Sequence, residues 1–267
     1  MLKLPNHEIY ALRYASITRP AQANFLVQDV HDLPMRMDYF IWLIRDGERS
    51  VLVDTGFNAR SGTERQRELS QPPVEALAAF GVDAAAIEDV VITHMHYDHA
   101  GNLGAFPGAR FHIQDREMAY ATGRCMCQRL LRHPFDVEDA VAMVRHVYDE
   151  RVVFHDGDGE LRPGITLHLI PGHTQGLQAV RVHTRRGWVL LASDALHFIE
   201  NMERQNPFPI FVDLEGLMEG WKRVRALAET KAHIIPGHDP IVTELFRRVA
   251  REGVEAWALH EDPLRGL

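Results

Sequence analysis

The chain has 267 residues, 46% hydrophobic and 25% charged, which is enough to bury a large core, and we expect one domain spanning 1–267. Its formal net charge of −8 disfavours nucleic acid or an acidic membrane surface as the main partner. The sequence has no apolar run near the ~18 residues of a membrane span and no signal-peptide pattern at its start, so we expect a soluble, cytoplasmic protein.

The first half of the chain is predicted to form strands and then helices. Four short apolar or β-branched runs predict strands: 40–44, 50–53, 90–93 and 110–113. Asp46-Gly47 between the first two indicates a hairpin. Pro72-Pro73 opens a predicted helix that Gly81 ends. Residues 115–150 are helical in pattern. The helix that opens at Asp136 is predicted to carry one apolar face: Val137, Ala140, Val141, Val144 and Val147.

Strands return in the second half. They are predicted over 152–154, 165–170, 179–183, 188–192 and 233–235. Helices are predicted over 214–229 and 243–251. This order fits two sheets packed face to face with helices outside, and it does not fit the regular alternation of a doubly wound nucleotide-binding fold.

The strongest chemical signal is the segment His94-Met95-His96-Tyr97-Asp98-His99, directly after a predicted buried strand. In a loop, these imidazoles and this carboxylate can turn toward two different centres. Such ligands suit zinc, with manganese, iron or cobalt as alternatives. A solvated loop with coincidental histidines is the bland alternative in a chain with 16 histidines. The clustering of so many ligand types after an apolar strand disfavours it.

Three further residues, His173, Asp194 and His238, each follow a predicted strand through a turn containing Gly, Pro or Ser. Each alone could be an ordinary turn residue. If the strands are neighbours, however, their ends converge on one rim. The set then contains seven ligands, which suits two ions that share a carboxylate, with Asp194 as the expected bridge. A hydroxide held between both ions would be positioned for attack.

Asp54 ends the strand 50–53 and is a candidate to orient a ligand histidine through its free ring N–H. A turn cap is the alternative role for this residue.

These residues resemble the metallo-β-lactamase superfamily, from the Asp54 strand to His238. The HxHxDH motif at 94–99 is highly specific for that fold, an αββα sandwich with a metal site at one edge. Within the superfamily, the length and motif order resemble the N-acyl homoserine lactonase branch, which includes the related 4-pyridoxolactonase. The resemblance implies two metal sites that share Asp194: His94, His96 and His173 on the first ion, and Asp98, His99 and His238 on the second.

The resemblance also implies a function, a dizinc hydrolase that opens a lactone ring, with an N-acyl homoserine lactone as the expected substrate. One metal would polarise the carbonyl while the bridging hydroxide attacks, and Asp98 would help to protonate the leaving oxygen. Tyr97 would line the substrate pocket. His197 stands where lactonases of this branch carry a tyrosine that contacts the substrate carbonyl, so it is a candidate for catalysis and substrate binding. It could equally be a bystander.

Several alternatives stay open on the same motifs. One is a hydrolase of another ester, thioester or cyclic catabolic intermediate, like glyoxalase II or pyridoxolactonase. Others are a β-lactamase-like amidase and a sulfur-oxidising iron enzyme with one metal. A non-catalytic metal protein is disfavoured, because structural zinc sites need only four ligands. We expect a small-molecule lactone or ester as the partner, no nucleic acid and no membrane, and a homodimer is left open.

Overall fold

The computed structural model describes residues 4–28, 33–47 and 49–266. In chain order the strands are β1 Glu8–Pro20, β2 Pro34–Asp46, β3 Arg49–Val53, β4 Asp89–Val91, β5 Arg110–Gln114, β6 Val152–His155, β7 Gly159–Arg162, β8 Ile165–Leu169, β9 Gln178–Thr184, β10 Gly187–Ser193, β11 Ile234–Pro236, β12 Arg247–Arg248 and β13 Glu255–Ala258. They form an eight-stranded sheet in the order β12-β13-β1-β2-β3-β4-β5-β6 and a five-stranded sheet in the order β11-β10-β9-β8-β7.

The α-helices cover the outer faces of both sheets. Their bounds are α1 Ala59–Glu64, α2 Pro73–Ala79, α3 Tyr97–Ala100, α4 Asp115–Ala121, α5 Arg129–Arg132, α6 Val137–Tyr148, α7 Ile199–Glu203, α8 Leu214–Leu227 and α9 Ile241–Leu245. Among them, none combines the length and apolarity that a span across a bilayer requires.

The two sheets pack face to face, and β2 shows why. Successive side chains of a strand point to opposite faces. Tyr39, Ile41 and Leu43 therefore join an apolar cluster with α2, α4 and α6, while Phe40 and Trp42 join a second cluster with the other sheet. A third cluster packs α8 against the outer face of the five-stranded sheet. These layers are the predicted αββα sandwich.

The second sheet brings several strand ends to one edge. β8 and β10 both run antiparallel to β9, and β11 runs parallel to β10. The carboxyl ends of β8, β10 and β11 therefore point the same way. In the first sheet, β3 and β4 are parallel and also end together.

The C-terminal helix predicted over 243–251 is wrong. α9 ends at Leu245, and the next residues form β12 and β13, which extend the first sheet beside β1. The apolar spacing of Leu245, Phe246 and Val249 suits a helical face, but Val249 N donates to Ala256 O in a strand pairing.

The predicted apolar face of α6 is wrong in part. Val137 is 69% exposed and Val141 is 36% exposed, while Met143 is fully buried. The start of the helix is fixed by Asp136, whose Oδ2 accepts a hydrogen bond from Ser61 Oγ at 2.7 Å. The helix buries Asp139 and Met143, one turn apart, rather than the predicted valines.

Candidate metal centre

The candidate ligands lie where β4, β8, β10 and β11 end. Asp194 directly follows β10, and His238 follows β11 through Gly237. A side chain at Gly237 would bring its Cβ to 2.6 Å from Asp194 Oδ1, so only glycine allows the two turns to approach this closely. After β4 the chain does not form a simple loop, because Asp98 and His99 sit on the short helix α3.

All seven predicted ligands are brought together, and all are buried. Their ligand atoms form two groups within which every atom lies within 4.8 Å of the others: His94, His96, His173 and Asp194, and Asp98, His99 and His238.

The Asp194 carboxylate lies between the two groups. Its Oδ1 is 3.4 Å from His99 Nε2 and 3.1 Å from His238 Nε2. Its Oδ2 is 3.8 Å from His94 Nε2 and 3.3 Å from His173 Nε2. Each oxygen thus faces one group, which is the arrangement that a shared carboxylate requires.

Several atoms of the centre are buried without a hydrogen-bond partner in the described part of the chain. They are His94 Nε2, His99 Nε2, His238 Nε2 and Asp194 Oδ1. Leaving buried polar atoms unpaired costs about 1–3 kcal/mol for each. Imidazole nitrogens and a carboxylate oxygen that face one another are suitable donors for divalent cations, so the residues fit a metal centre.

The opposite ring nitrogens are held by oxygen atoms of the protein. His173 Nδ1 donates to Ile210 O at 2.8 Å, and His238 Nδ1 donates to Asp38 O at 2.9 Å. A proton fixed on Nδ1 leaves the lone pair of Nε2 directed into the centre.

The charges around the centre match a set of metal ligands. Burial lowers the pKa of His173 to about 3. Burial and the neighbouring His99 and His96 lower the pKa of His94 well below its usual value. Burial alone would raise the pKa of Asp194, but nearby histidines, His197 first, lower it well below its usual value. Neutral imidazole and ionised carboxylate are the forms that bind a cation.

Asp54 contacts His99, as expected for a residue that orients a ligand. It is fully buried, and its Oδ2 accepts a hydrogen bond from His99 Nδ1 at 2.7 Å. It also accepts from Thr93, through N at 2.7 Å and Oγ1 at 2.8 Å. Its backbone has a φ of +62°, in the left-handed region that few non-glycine residues adopt. These bonds hold Asp54 in that conformation.

Tyr97 and His197 both line a cleft of about 310 Å³ that the candidate ligands also line. His197 Nε2 lies 3.0 Å from Asp194 Oδ2, and since the carboxylate is an acceptor, the imidazole donates this bond. The His197 ring stacks on Phe208, with centroids 3.9 Å apart. The structure thus brings both residues to the cleft, and their contact with substrate stays a prediction.

Sequence reasoning missed Glu117, a buried carboxylate in α4 that joins two of the ligand turns. It accepts hydrogen bonds from Met95 N at 2.8 Å, Thr174 Oγ1 at 2.6 Å and Gly176 N at 3.1 Å. An acidic residue in the first turn of a helix is ordinary, so no signal in the sequence distinguishes it. Three arginines of the cleft wall, Arg19, Arg65 and Arg67, were also missed.

Comparison with known proteins gives a consistent result. The family profile described as the Metallo-beta-lactamase superfamily matches residues 37–238. N-acyl homoserine lactonase from Bacillus cereus is 28% identical over 221 residues, covering 77% of this chain and 82% of the relative. N-acyl homoserine lactonase AttM from Azorhizobium caulinodans is 29% identical over 184 residues, covering 66% of each chain.

Solved structures of similar proteins have the same fold. A quorum-quenching N-acyl homoserine lactone lactonase superposes with a TM-score of 0.74 at 23% identity, covering 89% of this chain and 94% of the other. AidC, described as a dizinc quorum-quenching lactonase, superposes with a TM-score of 0.71 at 20% identity, covering 99% and 97%. At these identities the likeness concerns the fold alone.

Proposed function

The chain belongs to the metallo-beta-lactamase superfamily, and we propose that it is a metal-dependent hydrolase that opens a lactone ring, acting as one domain over residues 1–267. The observation that carries this proposal is the Asp194 carboxylate, with one oxygen toward each of two buried groups of donors. Two adjacent cations at the base of a cleft suit hydrolysis of an ester-type bond.

The proposed ligands divide as the two groups do, with Asp194 shared. His94, His96 and His173 would hold one cation, and Asp98, His99 and His238 the other. We propose zinc, since the donors are imidazole and carboxylate. When bound, two such cations supply Lewis-acid polarisation of a carbonyl and ionisation of a water near neutral pH.

The residues of the chain supply the rest of the proposed reaction. Water adds its oxygen to the lactone carbonyl carbon, the ring C–O bond breaks, and the released alkoxide takes a proton. Asp98 lines the cleft and is 7% exposed, so its carboxyl can carry that proton from the attacking water to the leaving oxygen. Tyr97 forms part of the wall beside it, and the His197 N–H is available to orient a carbonyl.

The relatives named N-acyl homoserine lactonase make N-acyl homoserine lactones the first substrates to test. A second candidate is hydrolysis of another ester, thioester or cyclic catabolic intermediate. It is favoured by the three arginines in the cleft wall, which a neutral acyl lactone does not need.

The test is pH-stat hydrolysis, which reports acid release directly. Protein reconstituted with zinc and analysed for metal content is assayed on homoserine lactones, aromatic lactones and thioesters. Metal-stripped protein and the same sample after zinc is restored serve as the matched pair. We expect acid release from a lactone that disappears and returns with the metal. Two bound equivalents of zinc with no turnover of any substrate would refute the proposal.

A further inference from the structure

Three guanidinium groups line the cleft that contains the candidate metal centre. Arg19 lies near the end of β1, and Arg65 and Arg67 follow α1. The three side chains are neither fully buried nor fully exposed. They share this cleft with Asp98, His173 and other candidate ligands, so a substrate that reaches the centre passes them.

Arg19 is held in place but is not fully paired. Its Nε donates to Asn24 Oδ1 at 2.7 Å, and its guanidinium lies over the Phe208 ring, 5.0 Å from the centroid. Its Nη2 is buried and has no hydrogen-bond partner among the residues described. A buried donor of a charged group is costly to leave unpaired, so this atom is ready for an acceptor that enters the cleft.

Arg67 and Arg65 are fixed by neutral acceptors. Arg67 Nε donates to Tyr39 OH at 3.0 Å, and its Nη1 donates to the carbonyl of Arg65 at 2.9 Å. Arg65 donates to the carbonyls of His133 and Phe135, and its guanidinium lies 4.1 Å from the centroid of the Tyr97 ring. These bonds orient the groups without neutralising their charge.

The contrast with Arg13 is informative. Arg13 is partly buried as well, but it is paired with the carboxylates of Glu255 and Asp38. In the described ranges, the printed ion pairs give Arg19, Arg65 and Arg67 no such partner, and Glu64 in the same cleft wall pairs with Arg60 instead.

Arg19 and Arg67 are close enough for their charges to interact. Burial lowers the pKa of Arg19, and although Tyr39 opposes this shift, the charge of Arg67 adds to it. Two buried guanidiniums facing one space are unfavourable unless an anion lies between them. The planar fork of arginine suits a carboxylate in particular.

We propose that Arg19 and Arg67 bind an anionic group of the substrate, so that the preferred substrate is a lactone or ester carrying a carboxylate rather than a neutral N-acyl homoserine lactone. This inference rests on the hydrolase function proposed above. Arg65 acts as a positioning residue, since it holds Tyr97 and the 133–135 turn.

The test uses two γ-butyrolactones that differ only in a ring substituent, a carboxylate or a primary carboxamide. Zinc-loaded wild type, Arg19→Gln, Arg67→Gln and Arg145→Gln are compared, where Arg145 is an exposed residue of α6 and serves as the matched control. We expect the wild type and the control to prefer the carboxylate. Each cleft variant should reduce the ratio of kcat/KM values by about tenfold or more, mainly through KM, because a charge-assisted hydrogen bond is lost.

A titration that does not depend on turnover separates this inference from the proposed function. Cyclopentanecarboxylate has no bond to hydrolyse, so its binding is followed by calorimetry with the same proteins, and metal content and Tm are recorded. Weaker binding to both cleft variants, with unchanged metal content, supports the inference even if neither lactone is hydrolysed. Equal binding to all four proteins, or equal turnover of both lactones by wild type, overturns it, while lactone turnover itself leaves the hydrolase proposal standing.

Discussion

Replacing Asp54 by asparagine should weaken metal binding more strongly on the His99 side of the centre than on the His94 side. Asparagine has one oxygen where aspartate has two, so it cannot accept hydrogen bonds from both Thr93 and His99 as Asp54 does. The amide group that replaces Oδ2 would point a donor at His99 Nδ1. The histidine then loses both its orientation and its charged partner.

The size of the effect follows from the contact that is lost. The His99 Nδ1 to Asp54 Oδ2 bond is 2.7 Å long and both residues are buried. A hydrogen bond to a charged group contributes about 1.5–3 kcal/mol. At about 1.4 kcal/mol for each factor of ten, affinity for the second cation should fall roughly 10- to 100-fold.

Competition with a chromophoric zinc chelator resolves the two sites, and elemental analysis gives their occupancy. Thr93→Val is the matched variant, because it removes the Oγ1 atom that lies 3.1 Å from His94 Nδ1 and keeps the Asp54 contact with His99. It should weaken the first site by less than about tenfold, since only a neutral hydrogen bond is lost. Exposed Asp115→Asn should bind as wild type does. If Asp54→Asn retained both cations at wild-type affinity, the orienting role of Asp54 would be refuted.

Three further outcomes are expected. His96→Ala should lose more than about 100-fold in metal affinity together with activity, whereas His197→Ala should keep two equivalents of zinc and lose about tenfold in turnover; wild-type kinetics in His197→Ala would contradict a role for that residue. Chelation should lower the Tm by roughly 5 °C or more and zinc should restore it, because the cations bind only the folded protein; an unchanged Tm would argue against a buried metal centre. Burial and the neighbouring Asp136 raise the pKa of Asp139 from 3.8 to about 8. This raised pKa stabilises the fold fully below about pH 4 and loses its contribution as the pH rises to about 8, so Asp139→Asn should be more stable than wild type at pH 9, on the order of 2 kcal/mol, and equal to it near pH 4 in urea unfolding. A constant difference across that range would contradict the assignment.

The candidate site was largely predictable from the sequence because its residues are adjacent to strong local signals. Short apolar runs mark β4, β8, β10 and β11, and turn residues such as Gly172 and Gly237 mark their ends. Parallel strands that end at the same edge then bring the ligands together. The ligand roles remain a prediction until metal is measured.

The parts that were missed depend on contacts between distant segments. β1 carries Arg13, Ser16 and Thr18 among its apolar residues, so its alternation is weak, and its long pairing with β2 provides the regularity. Glu117 and Arg67 owe their importance to what surrounds them in space. Their own sequence neighbourhoods contain nothing unusual, and no local pattern could have identified them.

The pairing of β13 with β1 has a consequence for how the protein is made. Tyr10 lies opposite Ala258, so this edge of β1 stays open on the ribosome until almost the whole chain has been synthesised. During that interval β2 can cover only the other edge. An uncovered strand of this length invites pairing with a neighbouring nascent chain. Yield in a cell should therefore respond to chaperone supply and to synthesis rate more than the stability of the finished fold would suggest.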